Sequence, residues 1–156
     1  MNPLVSIIMG STSDLPIMEK AMTFLNDRKI PFEVNALSAH RTPDAVEEFA
    51  KTAKDRGIKV IIAASTPLPV IGVPIKGSLL DGMDALYSII QMPPGIPVAT
   101  VGINGAMNAA ILAMQIIALS DTGVAERLDE YKANLATKIK KANKDLAEVK
   151  YEYKTN

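Results

Sequence analysis

The stretch KVIIAASTPLPVIGVP, residues 59–74, holds two short apolar runs, KVIIAA (59–64) and PVIGVP (69–74), joined only through STPLP (65–69). Each run is β-branched, nearly continuous in its hydrophobicity and bounded by turn residues. That is the pattern of strands covered on both faces in a parallel sheet. Parallel neighbours normally need a crossover of about a dozen residues or more, usually containing a helix. So short a link suits a hairpin, which would set one strand antiparallel in the middle of the sheet. A helix of crossover length is missing from this sequence, and geometry alone says so.

Outward from this stretch the chain alternates strands with helical periodicities, the signature of a parallel sheet with helices on both faces. VSIIMG (5–10) is the first strand and FEVNAL (32–37) a more polar second strand near an edge. KVIIAA and PVIGVP are the third and fourth, and PVATVGI (97–103) the fifth. Ser13 or Asp14 caps a first helix whose apolar face is Ile17, Ala21, Phe24 and Leu25. Thr42 is an N-cap with Pro43 at the first helical position and Asp44 and Glu47 in the first turn, and Gly57 stops that helix. Its buried stripe is Val46, Phe49, Ala50 and Ala53. LLDGMDALYSIIQM (79–92) reads as a helix with Leu80, Met83, Leu86, Tyr87 and Ile90 inward, and GAMNAAILAMQIIAL (105–119) as a buried one.

A single domain over 1–156 follows, with an α/β core over 1–120 and a C-terminal helical segment over 121–156. In that segment Leu128, Tyr131, Leu135, Ile139, Ala142, Leu146, Val149 and Tyr153 recur at steps of three and four. Such a stripe is longer than a small domain is wide, so it is expected to pack on a neighbouring subunit.

Seventeen basic and seventeen acidic residues cancel. No basic field points to nucleic acid or to a lipid surface. There is no cysteine and one histidine, which argues against a zinc site and fits a reducing, cytoplasmic location. No signal-peptide pattern opens the chain and no apolar run suits a membrane span.

Two motifs follow the first two strands, at the edge where open α/β sheets bind ligands. GSTSD (10–14) offers a tight glycine turn, hydroxyls on Ser11 and Ser13, and the free amides of a helix start, which together favour an anion such as phosphate. An ordinary Ser/Asp helix cap is the competing reading. Asp14 would repel bare phosphate and suits a sugar hydroxyl. SAHRTP (38–43) contains the one histidine, His40, beside Arg41. A packed or capping histidine is the plain alternative, but an imidazole in a polar loop at this edge can give and take a proton near neutral pH. Arg41 offers a planar fork for phosphate or carboxylate. A phosphorylated sugar derivative is the best ligand class and proton transfer the best chemistry, with no metal or redox cofactor needed. A flavin carrier is disfavoured, since there is no tryptophan and there are only three phenylalanines and four tyrosines.

MGSTSD, SAHRTP, KVIIA, LPVIGVP and LYSIIQMPPGIPVATVGI, in this order, resemble the bacterial class of the N5-carboxyaminoimidazole ribonucleotide mutase (PurE) family. The likeness spans nearly the whole chain. It implies a three-layer, flavodoxin-like α/β/α fold with strand order 2-1-3-4-5, a homo-octamer and no cofactor. It implies a mutase of purine (IMP) biosynthesis, which moves the carboxylate of N5-carboxyaminoimidazole ribonucleotide to the ring carbon by decarboxylation and recarboxylation. Ser11, Ser13, Asp14, Ser38 and Arg41 are then substrate-binding residues, and His40 is the general acid–base. The family's pattern also has a loop of the form GAGGAAHLPG and a following helix after the third strand, both absent here after Ala63. A chain lacking them is expected to lose the sheet as well as the site, leaving at most a non-catalytic phosphate- or nucleotide-binding homologue.

Overall fold

In the computed structural model, which describes residues 2–38, 41–62, 68–77, 80–150, 152–153 and 155, five strands form one sheet. β1 (Val5–Met9) is buried at all its positions because both edges are paired. It meets β2 (Phe32–Ala36) on one side, with Val5 opposite Phe32, and β3 (Val60–Ile62) on the other, with Val5 opposite Val60. β3 pairs with β4 (Val70–Gly72), and β4 with β5 (Ala99–Thr100). Every pairing is parallel and the order is β2-β1-β3-β4-β5, as the sequence predicts. β2 is the polar edge strand expected.

The expectation that the sheet fails between the third and fourth strands is overturned, and the register explains why. Ile61 stands opposite Val70 and Ile62 opposite Ile71. The chain leaves β3 after Ile62 and re-enters at Val70, so it must step back by one residue and sideways by one strand. At about 3.3 Å and 4.8 Å for those two steps, the gap from Ile62 to Val70 is short enough for the chain between them to span. The cost is ladder length, since β3 and β4 share two residue pairs where β1 and β2 share five. The Ile61 amide extends the ladder by donating to the Pro69 carbonyl, 3.0 Å.

One face of the sheet carries α1 (Leu15–Asp27), α4 (Ala106–Ala118) and the root of α5 (Thr122–Glu148). Its core joins Ile7, Ile62 and Ile71 to Met18, Phe24 and Leu25 of α1 and to an alanine-rich side of α4 that lets the helices approach closely. α4 buries only that side, since Met107 is 43% exposed. α5 is rooted by Val124 and Leu128, capped by Asp121, whose carboxylate accepts from the Val124 amide at 3.0 Å. The Arg28 guanidinium stacks on the Phe24 ring at 3.8 Å and near the Tyr131 ring at 4.5 Å, clamping α5 to α1. Beyond Tyr131 every described residue of α5 is exposed, Leu135, Ile139 and Leu146 among them.

The other face carries α2 (Pro43–Ala53) and α3 (Met83–Ile90). α2 buries Phe49 and Ala53 against Ile8, Ile58 and Ile61, while Val46 and Ala50 remain half-exposed. Arg56, just past α2, grips both Glu33 carboxylate oxygens at 2.7 Å, and the buried Ser6 hydroxyl donates to the same carboxylate at 3.0 Å. The inward stripe expected of the 79–92 helix is not found. Leu80, Met83, Tyr87 and Ile90 are exposed and Leu86 is half-buried, and α3 rests on the sheet through Ile89 over Gly72. Both departures have one cause. Right-handed connections place the helix after β3 in the same layer, between α2 and α3, and among the described residues there is none. A groove of about 530 Å³ runs beside α2, floored by Leu68, Val70, Ile96 and Val98 and flanked by Glu47, Ala50 and Lys51 of that helix.

Gly72 is a position where a side chain is excluded by packing, since a Cβ there would lie 2.4 Å from the Ile89 side chain. Gly72→Ala is expected to lower stability by about 1–3 kcal/mol, read as a reduced urea midpoint. An unchanged midpoint would mean that α3 is not seated on β4.

Candidate functional site

The C-terminal ends of β1 and β2 present a shallow cleft of about 370 Å³, lined by Gly10, Ser11 and Thr12 from one loop and by Ala36, Ser38, Arg41 and Thr42 from the other. The two loops sit side by side because β1 and β2 end in register, Met9 opposite Ala36, and the Leu37 amide donates to the Met9 carbonyl at 2.9 Å. What the sequence places far apart, the parallel pairing brings together.

In the first loop a 3-10 turn, Thr12–Asp14, precedes α1. Of the two residues expected to cap α1, Asp14 holds the N-cap position. Ser11 has the extended backbone of a cap and its hydroxyl accepts from the Ser13 amide at 3.3 Å, whereas Asp14 makes no side-chain capping bond. The Ser13 hydroxyl donates to the Asp14 carboxylate at 3.4 Å. Gly10, Thr12 and Ser13 are exposed and Ser11 and Asp14 half-buried, so these hydroxyls and the carboxylate remain open to a ligand.

In the second loop Thr42 holds the N-cap position of α2, as expected, although its side chain makes no bond into the helix. Its hydroxyl accepts from the Ser38 amide at 3.0 Å and donates to the Ser38 carbonyl at 3.1 Å, closing the loop on itself. The Arg41 and Thr42 amides also converge on the Ser38 carbonyl. The Arg41 guanidinium spans the cleft and donates through Nη2 to the Gly10 carbonyl. That bond makes Arg41 a cationic bridge between the two motifs. His40 lies outside the described residues.

Of the five expected binding residues, Ser11, Ser38 and Arg41 line the cleft, while Ser13 and Asp14 stand directly behind Ser11 in the first loop. Thr12 and Thr42 are lining residues that the sequence reading passed over. Both were legible as hydroxyls inside the quoted motifs, but Thr12 was given no role and Thr42 that of a cap. Further along the same sheet edge, the Asn104 side chain accepts from the Lys76 amide at 2.9 Å, and Lys76 Nζ pairs with Asp81 at 2.8 Å. Leu80, Asp81 and Asn104 hold positive φ there, a conformation uncommon outside glycine. No sequence signal marked them. Among the described residues no cluster of acidic or histidine side chains is arranged to hold a metal ion, and no helix is long and apolar enough to cross a membrane.

A sequence model of the family described as AIR carboxylase matches residues 4–138. The N5-carboxyaminoimidazole ribonucleotide mutase of Pyrococcus abyssi is 50% identical over 146 aligned positions, covering 85% of this chain and 84% of that protein. The protein of the same name from Bacillus subtilis is 50% identical over 149, covering 86% and 92%. The crystal structure of Treponema denticola PurE2-S38D superposes with a TM-score of 0.79 at 28% identity, covering 94% of this chain and 99% of that one. The alignment to the Pyrococcus horikoshii mutase runs over 163 positions while using 96% of these 156 residues. About a dozen positions of that relative therefore face no residue here.

If Arg41 is the cationic bridge of the cleft, Arg41→Ala is expected to weaken ribose 5-phosphate binding by about tenfold, measured calorimetrically. Equal affinity would remove Arg41 from the binding surface.

Proposed function

The chain belongs to the AIR carboxylase family, and from that premise we propose that it is an N5-carboxyaminoimidazole ribonucleotide mutase of purine biosynthesis. The observation that carries the reading is the junction of the GSTSD and SAHRTP loops at one cleft, bridged by Arg41 onto Gly10. A phosphate needs several N–H and O–H donors converging beside a positive charge. Ser11, Ser13 and Arg41 supply these groups, and Asp14 and Ser38 are suited to the ribose hydroxyls.

His40 is the proposed general acid–base. The N–carboxylate bond of the carbamate breaks with its electron pair remaining on nitrogen, and the imidazolium supplies the proton that nitrogen takes up. The ring carbon C4 then attacks the freed CO2, forming the new C–C bond, and the now neutral imidazole removes the proton from that carbon. One imidazole passes through both states and returns to its start, as an isomerisation without net proton change requires. No metal or redox step enters.

The exposed stripe of α5, Leu135, Ile139 and Leu146, supports assembly in which this helix covers a neighbouring subunit, a homo-octamer being the proposed form. The proposed location is cytoplasmic.

The test is ATP-independent formation of 4-carboxy-5-aminoimidazole ribonucleotide from the carbamate substrate. His40→Asn is expected to lower turnover by at least about 100-fold without a change in fold by circular dichroism. Near-normal turnover in that variant would end the assignment of His40. Leu135→Asp with Ile139→Asp is expected to shift the sedimentation coefficient to a smaller species; an unchanged value would place the interface elsewhere.

A further inference from the structure

Thr42 stands where α2 begins, and its carbonyl accepts the first helical bond from the Val46 amide at 3.1 Å. A threonine there ordinarily turns its hydroxyl onto the amides of the first helical turn. This one does not. Its hydroxyl faces back to Ser38, accepting from the amide at 3.0 Å and donating to the carbonyl at 3.1 Å. The helix forgoes a side-chain cap, and the loop that carries Arg41 acquires a clasp.

Those two bonds fix what the hydroxyl can offer a ligand. A hydroxyl has one proton, and the Ser38 carbonyl, which can only accept, takes it. The oxygen keeps lone-pair capacity alone, which an ionised phosphate cannot bond. Thr42 therefore lines the cleft without being able to grip an anion in it. Ser11 is the contrast, since its oxygen accepts from the Ser13 amide at 3.3 Å and that bond leaves its proton uncommitted.

What the clasp holds is Arg41. The Leu37 amide ties the end of β2 to the Met9 carbonyl at 2.9 Å. The next residue, Ser38, is bound to Thr42 through both its backbone groups, and Arg41 directly precedes Thr42. The Arg41 amide adds a 3.1 Å bond to the same Ser38 carbonyl. At the far end of the side chain the guanidinium donates to the carbonyl of Gly10, the residue after Met9. Arg41 is thus tied to the end of β1 from both sides. An arginine on a loose backbone loses much conformational freedom on meeting a ligand, and one fixed at backbone and guanidinium has lost it beforehand.

We infer that Thr42 is a positioning residue: its hydroxyl fixes the backbone of Arg41 so that the guanidinium is set before a sugar phosphate arrives, and it acts on binding only through Arg41. The inference rests on the mutase reading of this cleft.

The test is a double-mutant cycle on the full chain. Ribose 5-phosphate affinity is measured calorimetrically, and KM for the carbamate substrate by turnover. The chains are the wild type, Thr42→Val, Arg41→Ala, the double variant, and Thr42→Ser, which keeps the hydroxyl. Thr42→Val is expected to weaken ribose 5-phosphate binding and raise KM by roughly fivefold, less than Arg41→Ala does, while Thr42→Ser stays near the wild type. In the Arg41→Ala background the valine is expected to add nothing. An equal loss in both backgrounds would make Thr42 a direct contact, and no loss in Thr42→Val would make the clasp idle. Either would overturn the inference and leave the mutase reading intact. A Thr42→Val chain that no longer unfolds cooperatively in urea would also overturn it, because the hydroxyl would then be holding the fold. The expected coupling in ribose 5-phosphate binding, with no turnover in any chain, would sustain the inference and remove the mutase reading. Neither binding nor turnover by the wild type would overturn both.

Discussion

Parallel strands can be neighbours only if the chain between them returns to its starting edge, and in this protein the connection from Ile62 to Val70 sets how far that return can go. The sheet accommodates it by shortening the shared ladder until the return is a single residue. From this follow the brevity of β3 and β4, the groove beside α2, and the exposed apolar residues of α3. The halves of the sheet are consequently unequal. β1 and β2 are held by a five-pair ladder and by Arg56 and Ser6 on the Glu33 carboxylate, whereas β4 and β5 share two pairs.

The site sits on the well-held half. Gly10 and Ser38 are positioned by the ends of β1 and β2, so the cleft formed by their loops does not depend on how β4 and β5 are anchored. This separation reconciles two facts that otherwise conflict, a family likeness over most of the chain and a connection too short for the family's pattern. The loops that line the cleft follow β1 and β2, and the shortened part is the connection between Ile62 and Val70.

Much of this was legible in the sequence. The parallel sheet follows from alternating runs and helices, its strand order from the family resemblance, the edge position of β2 from Glu33 and Asn35, and the overhang of α5 from the spacing of Leu135, Ile139 and Leu146. The motifs GSTSD and SAHRTP marked the cleft before any geometry was known. Two readings failed for physical reasons. The sheet was expected to break because crossover length was taken as fixed, when it scales with the ladder that must be retraced. Leu80, Met83, Tyr87 and Ile90 were placed inward on periodicity, which reports that a helix has an apolar side but not whether a neighbour exists to cover it. Residue type placed Asp14 and Thr42 correctly at the N-cap positions of α1 and α2 but not their bonding, since a hydroxyl or carboxylate in a loop bonds whichever amide the local turn presents, as Thr42 does with Ser38.

The central claim, that β4 and β5 belong to the same cooperative sheet as β1 to β3 despite the short connection, is tested most directly by native-state amide hydrogen exchange. The Ile61 amide, bonded to Pro69, and the Val101 amide, bonded to Gly72, should exchange only through large-scale unfolding, with free energies close to those of the β1 amides. Fast exchange at Ile61 and Val101 with protection confined to β1 and β2 would show that the sheet ends at β3, and would contradict the account.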